Sequence, residues 1–280
     1  MSIQAINSYI DSFDPQVKLV AQLGGKLGET VRIKDNVVGK SWIFPVYGRG
    51  LATPRITQTN VVPMNIAHTK ATANLTDWIA PEYVDVYDME KMEWSELKAL
   101  AQVVGTAITR REDQLIINAL VAGANATTVD TNVGGSNTGF NLEKLLRAKR
   151  LLDDNGIPDD GDRYLVTSFR AIEQALQIAT FNSQDYNILK PLYEGSLPGY
   201  AGFKFKMIET RAEGGLPIAA NLRSHFAYHK SCIGLARGID LKTETNYIPE
   251  KTSWLVSGMY SAGAVVIDNL GVFRIQTTEA

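Results

Sequence analysis

Side chains alternate with a period of two in two short runs, one largely apolar near residue 44 and one more polar near residue 71. Trp42, Phe44 and Val46 share one face of the first run, and Lys70 lies in the second. Alternation with a period of two is typical of β-strands. The runs therefore predict a hairpin, whose first strand should lie at a sheet edge because Pro45 has no N–H to donate.

The segment between these runs is rich in Thr, Asn and Gln and is broken by glycines and prolines. It predicts a long polar tip. Neither face of the hairpin is apolar enough to bury in a core of its own, and a two-stranded ribbon is only marginally stable alone in water. We therefore expect the hairpin to lean on a neighbouring subunit.

A longer period appears in residues 93–121, where apolar residues recur at alternating spacings of three and four. This spacing predicts an amphipathic helix of ~29 residues, about 40 Å long. The stripe is interrupted at Arg111-Glu112-Asp113, which we expect to be an exposed turn of the helix. The stripe consists of Trp94, Leu97, Ala101, Val104, Ile108, Leu115 and Ala119.

Shorter elements are predicted in the rest of the chain. Asn141 is expected to cap a helix that stops at Gly156, and Ser168 is expected to cap another. Residues 1–38 have no strong period and predict an extended arm. Strands are predicted at 163–167, 203–208, 241–247, 254–260 and 264–275, the last broken at 269–271.

Composition narrows the function classes. With 280 residues, 45% hydrophobic and 21% charged, the chain predicts one large or two interleaved globular domains. A net charge of −2 does not favour a protein that grips DNA over a whole face. The single cysteine, Cys232, excludes an internal disulfide and favours a reducing cytosol. Without a signal sequence or an apolar run of ~20 residues, we expect a protein that is made and kept soluble, away from membranes.

Several short patterns resemble functional motifs without completing them. Gly39-Lys40-Ser41 resembles the end of a phosphate-binding loop, but Lys34 stands where that loop needs glycine, so we interpret it as a turn. His225 and His229 have the spacing of a zinc-binding helix without its glutamate, and we interpret them as ordinary strand or turn histidines. Cys232 is interpreted as a small buried hydrophobe.

The paired aspartates at 153–154 and 159–160 are interpreted as solvated loop charges, because they lack the spaced oxygen ligands of a calcium loop. No group of residues supplies a nucleophile, a base and an orienting partner together. The sequence therefore predicts no catalytic, cofactor-binding or metal-binding residues, and no enzyme.

Charge is distributed unevenly around the hairpin. Residues 41–76 contain no acidic residue, whereas residues 77–96 contain seven acidic residues against Lys91 alone. Complementary charge of this kind steers the register and rate of docking. We hypothesise that the hairpin docks on the acidic segment of a neighbour; the alternative is a solvated loop beside a solvated helix start. The predicted inter-subunit contacts are Trp42, Arg49, Arg55, Lys70, Glu82, Asp85, Glu90 and Glu93.

The order of arm, hairpin, long helix, α/β insertion and returning strands is similar to that of the major capsid proteins of tailed, and especially short-tailed, bacteriophages. These proteins have the Hong Kong 97-like fold. Residues 38–49 resemble the upstroke of the family's E-loop, and residues 76–89 resemble the descent into the peripheral (P) domain. Residues 157–166 resemble the entry into the axial (A) domain, residues 227–236 the return from it, and residues 258–275 the final strands.

The resemblance implies an α+β chain with an N-terminal arm at 1–38 and an E-loop hairpin at 39–80. It implies a P domain at 81–155, with the long helix as its spine, an A domain at 156–238 and returning P-domain strands at 239–280. The family implies a viral structural protein of the virion that self-assembles from pentamers and hexamers into an icosahedral shell. This shell encloses double-stranded DNA without sequence-specific binding.

The resemblance also implies partners other than the chain itself, and one of them is a portal protein. A separate scaffolding protein is expected, because about 40 residues before the hairpin are too few for a built-in scaffolding segment. Assembly is expected in the host cytoplasm. Whether a cement protein decorates the shell is left open, and covalent cross-linking through Lys70 is not expected. The alternatives are a shell protein of a bacterial nanocompartment with the same fold and a soluble hydrolase.

Overall fold

Helices and strands mix along the chain in the computed structural model, which describes residues 24–58, 60–91, 96–124, 128–177 and 199–279. This mixture confirms the predicted α+β class. The described helices are α1 (Val86–Lys91), α2 (Glu96–Gly123), α3 (Leu142–Asp154) and α4 (Phe169–Leu176). The described strands are β1 (Arg32–Lys34), β2 (Ser41–Tyr47), β3 (His68–Asn74), β4 (Thr76–Asp85), β5 (Arg163–Ser168), β6 (Gly199–Tyr200), β7 (Phe203–Ile208), β8 (Ile218–Ala219), β9 (Leu222–His229), β10 (Ile233–Ile248), β11 (Ser253–Val266) and β12 (Val272–Thr278).

Two larger sheets and the hairpin organise the described strands. One sheet has the order β1-β10-β11-β4, and the other has the order β12-β9-β5-β7-β6 with β8 beside β9. In the second sheet β9 is antiparallel to β5 and β12, whereas β5 and β7 are parallel. Every residue of β5 is buried, so this strand lies at the centre of that sheet's core.

The predicted hairpin is confirmed as β2 paired with β3, from Ser41 opposite Asn74 to Tyr47 opposite His68. One face of its strands is nevertheless buried within the chain. Phe44 and Ala73 pack in a cluster with Val37 and Ala236, which come from outside the hairpin. The hairpin thus packs against surface from outside itself, as expected, but at this place the surface comes from its own chain and not from a neighbouring subunit.

The long helix is confirmed over α2, which ends at Gly123, two residues beyond the predicted end. Its predicted start at residues 93–95, with Trp94, lies outside the described residues. Val104 and Ile108 are buried as predicted, whereas Leu115 and Ala119 are only half-buried. The stripe was thus wrong in its second half, because the buried face there is a different one: Asp113, Ile116, Ile117 and Leu120 follow the spacing i, i+3, i+4, i+7. The fully buried residues there are Ile116, Ile117 and Leu120.

Both predicted helix caps are confirmed. The Asn141 side chain accepts a hydrogen bond from the backbone N–H of Lys144 at 2.9 Å, and the Ser168 hydroxyl accepts one from Ala171 at 3.1 Å. Such caps satisfy amide groups that have no partner within the helix. Beyond α3 the chain turns at Gly156, whose φ of +67° favours glycine.

The described part of the predicted arm does not extend freely. Leu27 and Val31 are almost completely buried, and a short 3₁₀ turn, Gly28–Thr30, lies between them. β1 pairs in parallel with β10, with Arg32 opposite Gly234. The prediction of an extended arm did not include this strand, since a strand of only three residues leaves no measurable period.

The chain divides into two compact units. One contains Trp78–Ile108 and Leu241–Tyr260, and the other contains Gly25–Asp77, Thr109–Asp240 and Ser261–Ala280. The predicted domain boundaries remain predictions. Within the described ranges, no helix is long and apolar enough to cross a bilayer.

Candidate assembly surface

The hairpin tip, residues 48–67, carries apolar side chains that face solvent. The sequence predicted a polar tip, and this was wrong for five of its residues. Soluble monomers rarely expose apolar surface in one place unless a partner covers it. The tip is therefore a candidate contact surface. The exposed fractions are 84% for Leu51, 66% for Ile56, 89% for Val61, 70% for Val62 and 56% for Met64.

The basic residues of the hairpin differ in their surroundings. Arg55 is exposed and makes no hydrogen bond or ion pair within the described part of the chain. Lys70 is exposed on β3, opposite Pro45. Arg49 is exposed as well, but its guanidinium donates a hydrogen bond to the backbone carbonyl of Asn155. Arg55 and Lys70 thus have free charge for a partner, whereas Arg49 already has a contact in its own chain.

Trp42 packs within its own subunit. Its half-buried ring lies against the Phe44 cluster, and the Lys34 ammonium lies 5.1 Å from the ring centroid. A cation over an indole face contributes about 0.5–1 kcal/mol at an exposed site. An additional role for Trp42 between subunits stays a prediction.

The predicted acidic contacts lie on β4 and α1. Glu82 and Glu90 are exposed, and Asp85 is half-buried and accepts a hydrogen bond from the backbone N–H of Tyr87 at 2.8 Å. This contact satisfies an amide at the start of α1. Glu93 lies outside the described residues. The acidic segment therefore presents at least two free carboxylates, and its pairing with a neighbour's hairpin stays a prediction.

The incomplete motifs have structural roles. Ser41 opens β2, so Gly39-Lys40-Ser41 precedes a strand as interpreted. His225 and His229 lie on β9, which confirms them as strand histidines. Cys232 is buried, and burial raises the pKa of its thiol to about 11, which confirms a hydrophobic role over a reactive one. Across the residues that the structure describes, no cluster of His, Cys, Asp and Glu could hold a metal ion.

The expected exposed turn at residues 111–113 is instead an ion-pair network, and this prediction was wrong. Asp113 is 1% exposed and lies 2.7 Å from the Arg211 guanidinium. Glu112 lies 2.7 Å from Arg237, and Arg111 contacts Glu213 at 2.6 Å. The sequence could not reveal these pairs because each partner lies about 100 residues away in the chain. Three charges interrupting an apolar stripe were the only indication.

Asp113 also holds the segment that enters the fold from the N-terminal side. Its carboxylate accepts hydrogen bonds from the backbone N–H groups of Lys26 and Leu27, each at 2.9 Å. Burial raises the pKa of Asp113, and the hydrogen bonds and the Arg211 charge only partly offset that effect. Its role is therefore mainly to satisfy two amides that would otherwise lack a partner.

A second buried network, which the sequence did not predict, surrounds Glu279. Its carboxylate lies 2.5 Å from the Arg223 guanidinium and accepts a hydrogen bond from the Ser168 hydroxyl. His225 is fully buried beside this pair, and its Nε2 lies 2.7 Å from the Thr277 hydroxyl. The network joins residues of β5, β9 and β12, so it fixes these strands to one another through side chains.

Acid is expected to destabilise the subunit through His225. Burial, with the charges of Arg223 and Lys144, lowers the pKa of His225 from 6.5 to about 3. Between these pH values the unfolded chain binds a proton that the folded chain excludes. Stability should therefore fall by about 1.4 kcal/mol for each pH unit as the pH drops through this window.

Urea denaturation of the wild type and of His225→Gln, from about pH 7 to about pH 4, measures this effect. The glutamine keeps a partner for Thr277 and does not titrate, so stability should fall less steeply with acid in the variant. Equal slopes for the two proteins would show that His225 does not carry the acid sensitivity.

Comparisons with known proteins agree over almost the whole chain. A family model described as phage capsid protein matches residues 5–279. The capsid structure of the cyanophage P-SCSP1u superposes with a TM-score of 0.78 at 16% identity, covering 98% of this chain and 94% of that chain. A chain of Mycobacterium phage Che8 gives 0.73 at 14% identity, covering 96% and 97%.

The head structure of the Helicobacter pylori bacteriophage KHP40 gives a TM-score of 0.75 at 9% identity, covering 100% of this chain and 97% of that chain. At such identities these structures show the fold, which is the Hong Kong 97-like capsid fold. No curated protein matches the sequence.

Proposed function

Since the chain belongs to the phage capsid protein family, we propose that its copies form pentamers and hexamers that close into an icosahedral shell around double-stranded DNA. Family membership gives the chain a structural role in the capsid shell of a virion. The observation that carries the proposal is the hairpin tip, whose apolar side chains have no cover among the residues that the structure describes.

The occupant that covers the tip is a second copy of this chain. Burial of apolar surface stabilises a contact by about 25 cal/mol per Å², so side chains as exposed as Leu51 and Val61 supply a driving force for association. Charge selects the orientation of docking. The charged residues of the hairpin are all basic, and those of the segment that begins with β4 are predominantly acidic. Opposite charges on separate parts of one chain suit a ring in which each subunit docks on the next.

The proposed contacts comprise Arg55 and Lys70 on one subunit and Glu82 and Glu90 on the next, with Glu93, Asp85 and Trp42 retained from the sequence prediction. The partners we propose beyond the chain itself are a separate scaffolding protein, a portal protein and, where a shell is decorated, a cement protein. Assembly is proposed to take place in the host cytoplasm. A net charge of −2 is compatible with enclosed DNA that brings its own counterions.

Charge reversal on the hairpin tests the docking. Arg55→Glu with Lys70→Glu should reduce the yield of rings and shells, most strongly at low salt because screening weakens exposed pairs. A mixture with the complementary variant Glu82→Lys plus Glu90→Lys should restore part of the yield. Sedimentation velocity and negative-stain microscopy measure both effects.

The matched control is Arg147→Glu with Arg170→Glu, which makes the same charge change on exposed residues of α3 and α4. It should assemble like the wild type. If hairpin and control variants give the same yield at every salt concentration, the charge docking is wrong. If the wild-type chain stays a monomer or dimer under all conditions, the shell proposal itself fails.

A further inference from the structure

Arg49 stands between two glycines, Gly48 and Gly50, at the point where the paired strands of the hairpin end. The last paired residues are Tyr47 and His68, followed by a hydrogen bond from the backbone N–H of Gly48 to the carbonyl of Ala67 at 2.8 Å. Glycine gives the backbone its widest conformational freedom. The triplet is therefore a joint between the strands and the tip.

The Arg49 side chain crosses from this joint to the end of α3. Its Nη2 donates to the backbone carbonyl of Asn155, the residue that caps the C-terminus of that helix. Carbonyls in this position lack partners within the helix and carry the negative end of its dipole, so a guanidinium is a favourable partner. The guanidinium lies directly over Gly156, within 4 Å of the place that a side chain would occupy there.

The acceptor is itself fixed. The side-chain amide of Asn155 donates to the carbonyl of Leu270 at 2.8 Å, and the backbone N–H groups of Asn155 and Gly156 donate to carbonyls of the last turn of α3. A cation that binds this carbonyl is thus attached to a rigid part of its own subunit. One such exposed bond is modest in strength, so it directs the tip and does not stabilise the whole subunit.

The hairpin is consequently held at two places. Within its strands, Phe44 and Ala73 are buried in the apolar cluster. Where the strands end towards the tip, Arg49 ties the joint to α3. Beyond the joint, the residues described between Leu51 and Asn65 are all exposed.

We infer that Arg49 is a positioning residue: its bond to the α3 C-terminus sets the direction in which the tip leaves its own subunit before any neighbour is met. This inference rests on the proposed assembly and changes one part of the sequence prediction. Arg49 acts inside its subunit, and the charge that meets a neighbour comes from Arg55 and Lys70. Removal of Arg49 should therefore change the orientation of the tip. Removal of Arg55 should leave the orientation unchanged and weaken the electrostatic attraction to the neighbouring subunit.

Distance measurements in the unassembled subunit test this role. Spin labels on Val61→Cys in the tip and Arg147→Cys on α3 report the tip's direction, and the buried Cys232 stays unlabelled. The wild-type background and Arg55→Ala should give one narrow distance distribution. Arg49→Ala should lose that narrow peak and give a broad distribution, while Arg49→Lys, which can still donate to the carbonyl, should recover part of it.

Assembly provides the second measurement. The yield of Arg49→Ala should be reduced at both low and high salt, because the charge that is removed binds within the subunit and aims the tip. The defect of Arg55→Ala should depend on salt. An unchanged distance distribution in Arg49→Ala overturns the positioning role, whatever the assembly result. If the wild-type chain never forms shells, the proposed function fails, but the distance measurement still decides what Arg49 does.

Discussion

Glu279→Gln is expected to destabilise the folded subunit by about 3–5 kcal/mol, the typical effect of removing one partner from a buried ion pair. The change removes a negative charge 2.5 Å from the Arg223 guanidinium, where Arg223 and Glu279 are 5% and 6% exposed. The glutamine is nearly the same size, so packing is retained and Arg223 is left buried without its compensating carboxylate. The Ser168 hydroxyl also loses a charged acceptor.

Urea denaturation at neutral pH measures the loss as a shift of the midpoint at constant slope. The control is Asp154→Asn, which breaks an exposed pair with Arg150 at 3.7 Å. Exposed pairs contribute about 0–1 kcal/mol, so the control should shift the midpoint little. Similar shifts in the two variants would mean that the Glu279 network is not a determinant of stability.

Asp113→Ala is expected to destabilise the subunit by about 3 kcal/mol or more, because two amides lose the one acceptor that the described residues give them. The backbone N–H groups of Lys26 and Leu27 both donate to this carboxylate. Arg211 is not stranded, since Glu209 lies 2.9 Å from its other Nη. Asp113→Asn keeps one acceptor oxygen and should therefore be clearly less damaging than the alanine variant.

The stability lost in Asp113→Ala should also be local to the segment that Asp113 holds. Hydrogen exchange at residues 25–30 should accelerate strongly in Asp113→Ala, because this segment loses its attachment to α2. Glu213→Gln, which breaks the more exposed pair with Arg111, is the matched control and should leave that exchange unchanged. Unchanged exchange in Asp113→Ala would show that the segment is held by the packing of Leu27 and not by Asp113.

The parts of the fold that the sequence predicted are those with local causes. The alternation around Phe44 predicted β2, and the polar caps Asn141 and Ser168 predicted the starts of α3 and α4. In each case the deciding interaction lies within a few residues along the chain. Local patterns of this kind are visible in a single sequence.

The errors have distant causes. Asp113 was predicted to be exposed because it is charged, but Arg211 and the amides at residues 26–27 bury it. Ile116 and Ile117 lie outside the predicted stripe, and their burial depends on which elements cover α2. For the candidate surface, charge in the sequence singled out the hairpin, whose docking stays a prediction. It did not distinguish Arg49, which has an acceptor on α3, from Arg55, which has none within the described residues.

The order of strands in the six-stranded sheet has a consequence for synthesis on the ribosome. The buried strand β5 pairs with β9, and β9 pairs along most of its length with β12. Both partner strands come much later in the chain than β5, and pairings between distant segments form slowly. A nascent chain therefore cannot close this sheet until β12 has emerged. A chain that ends before β12 would therefore lack a finished sheet and leave one edge of β9 unpaired along most of its length.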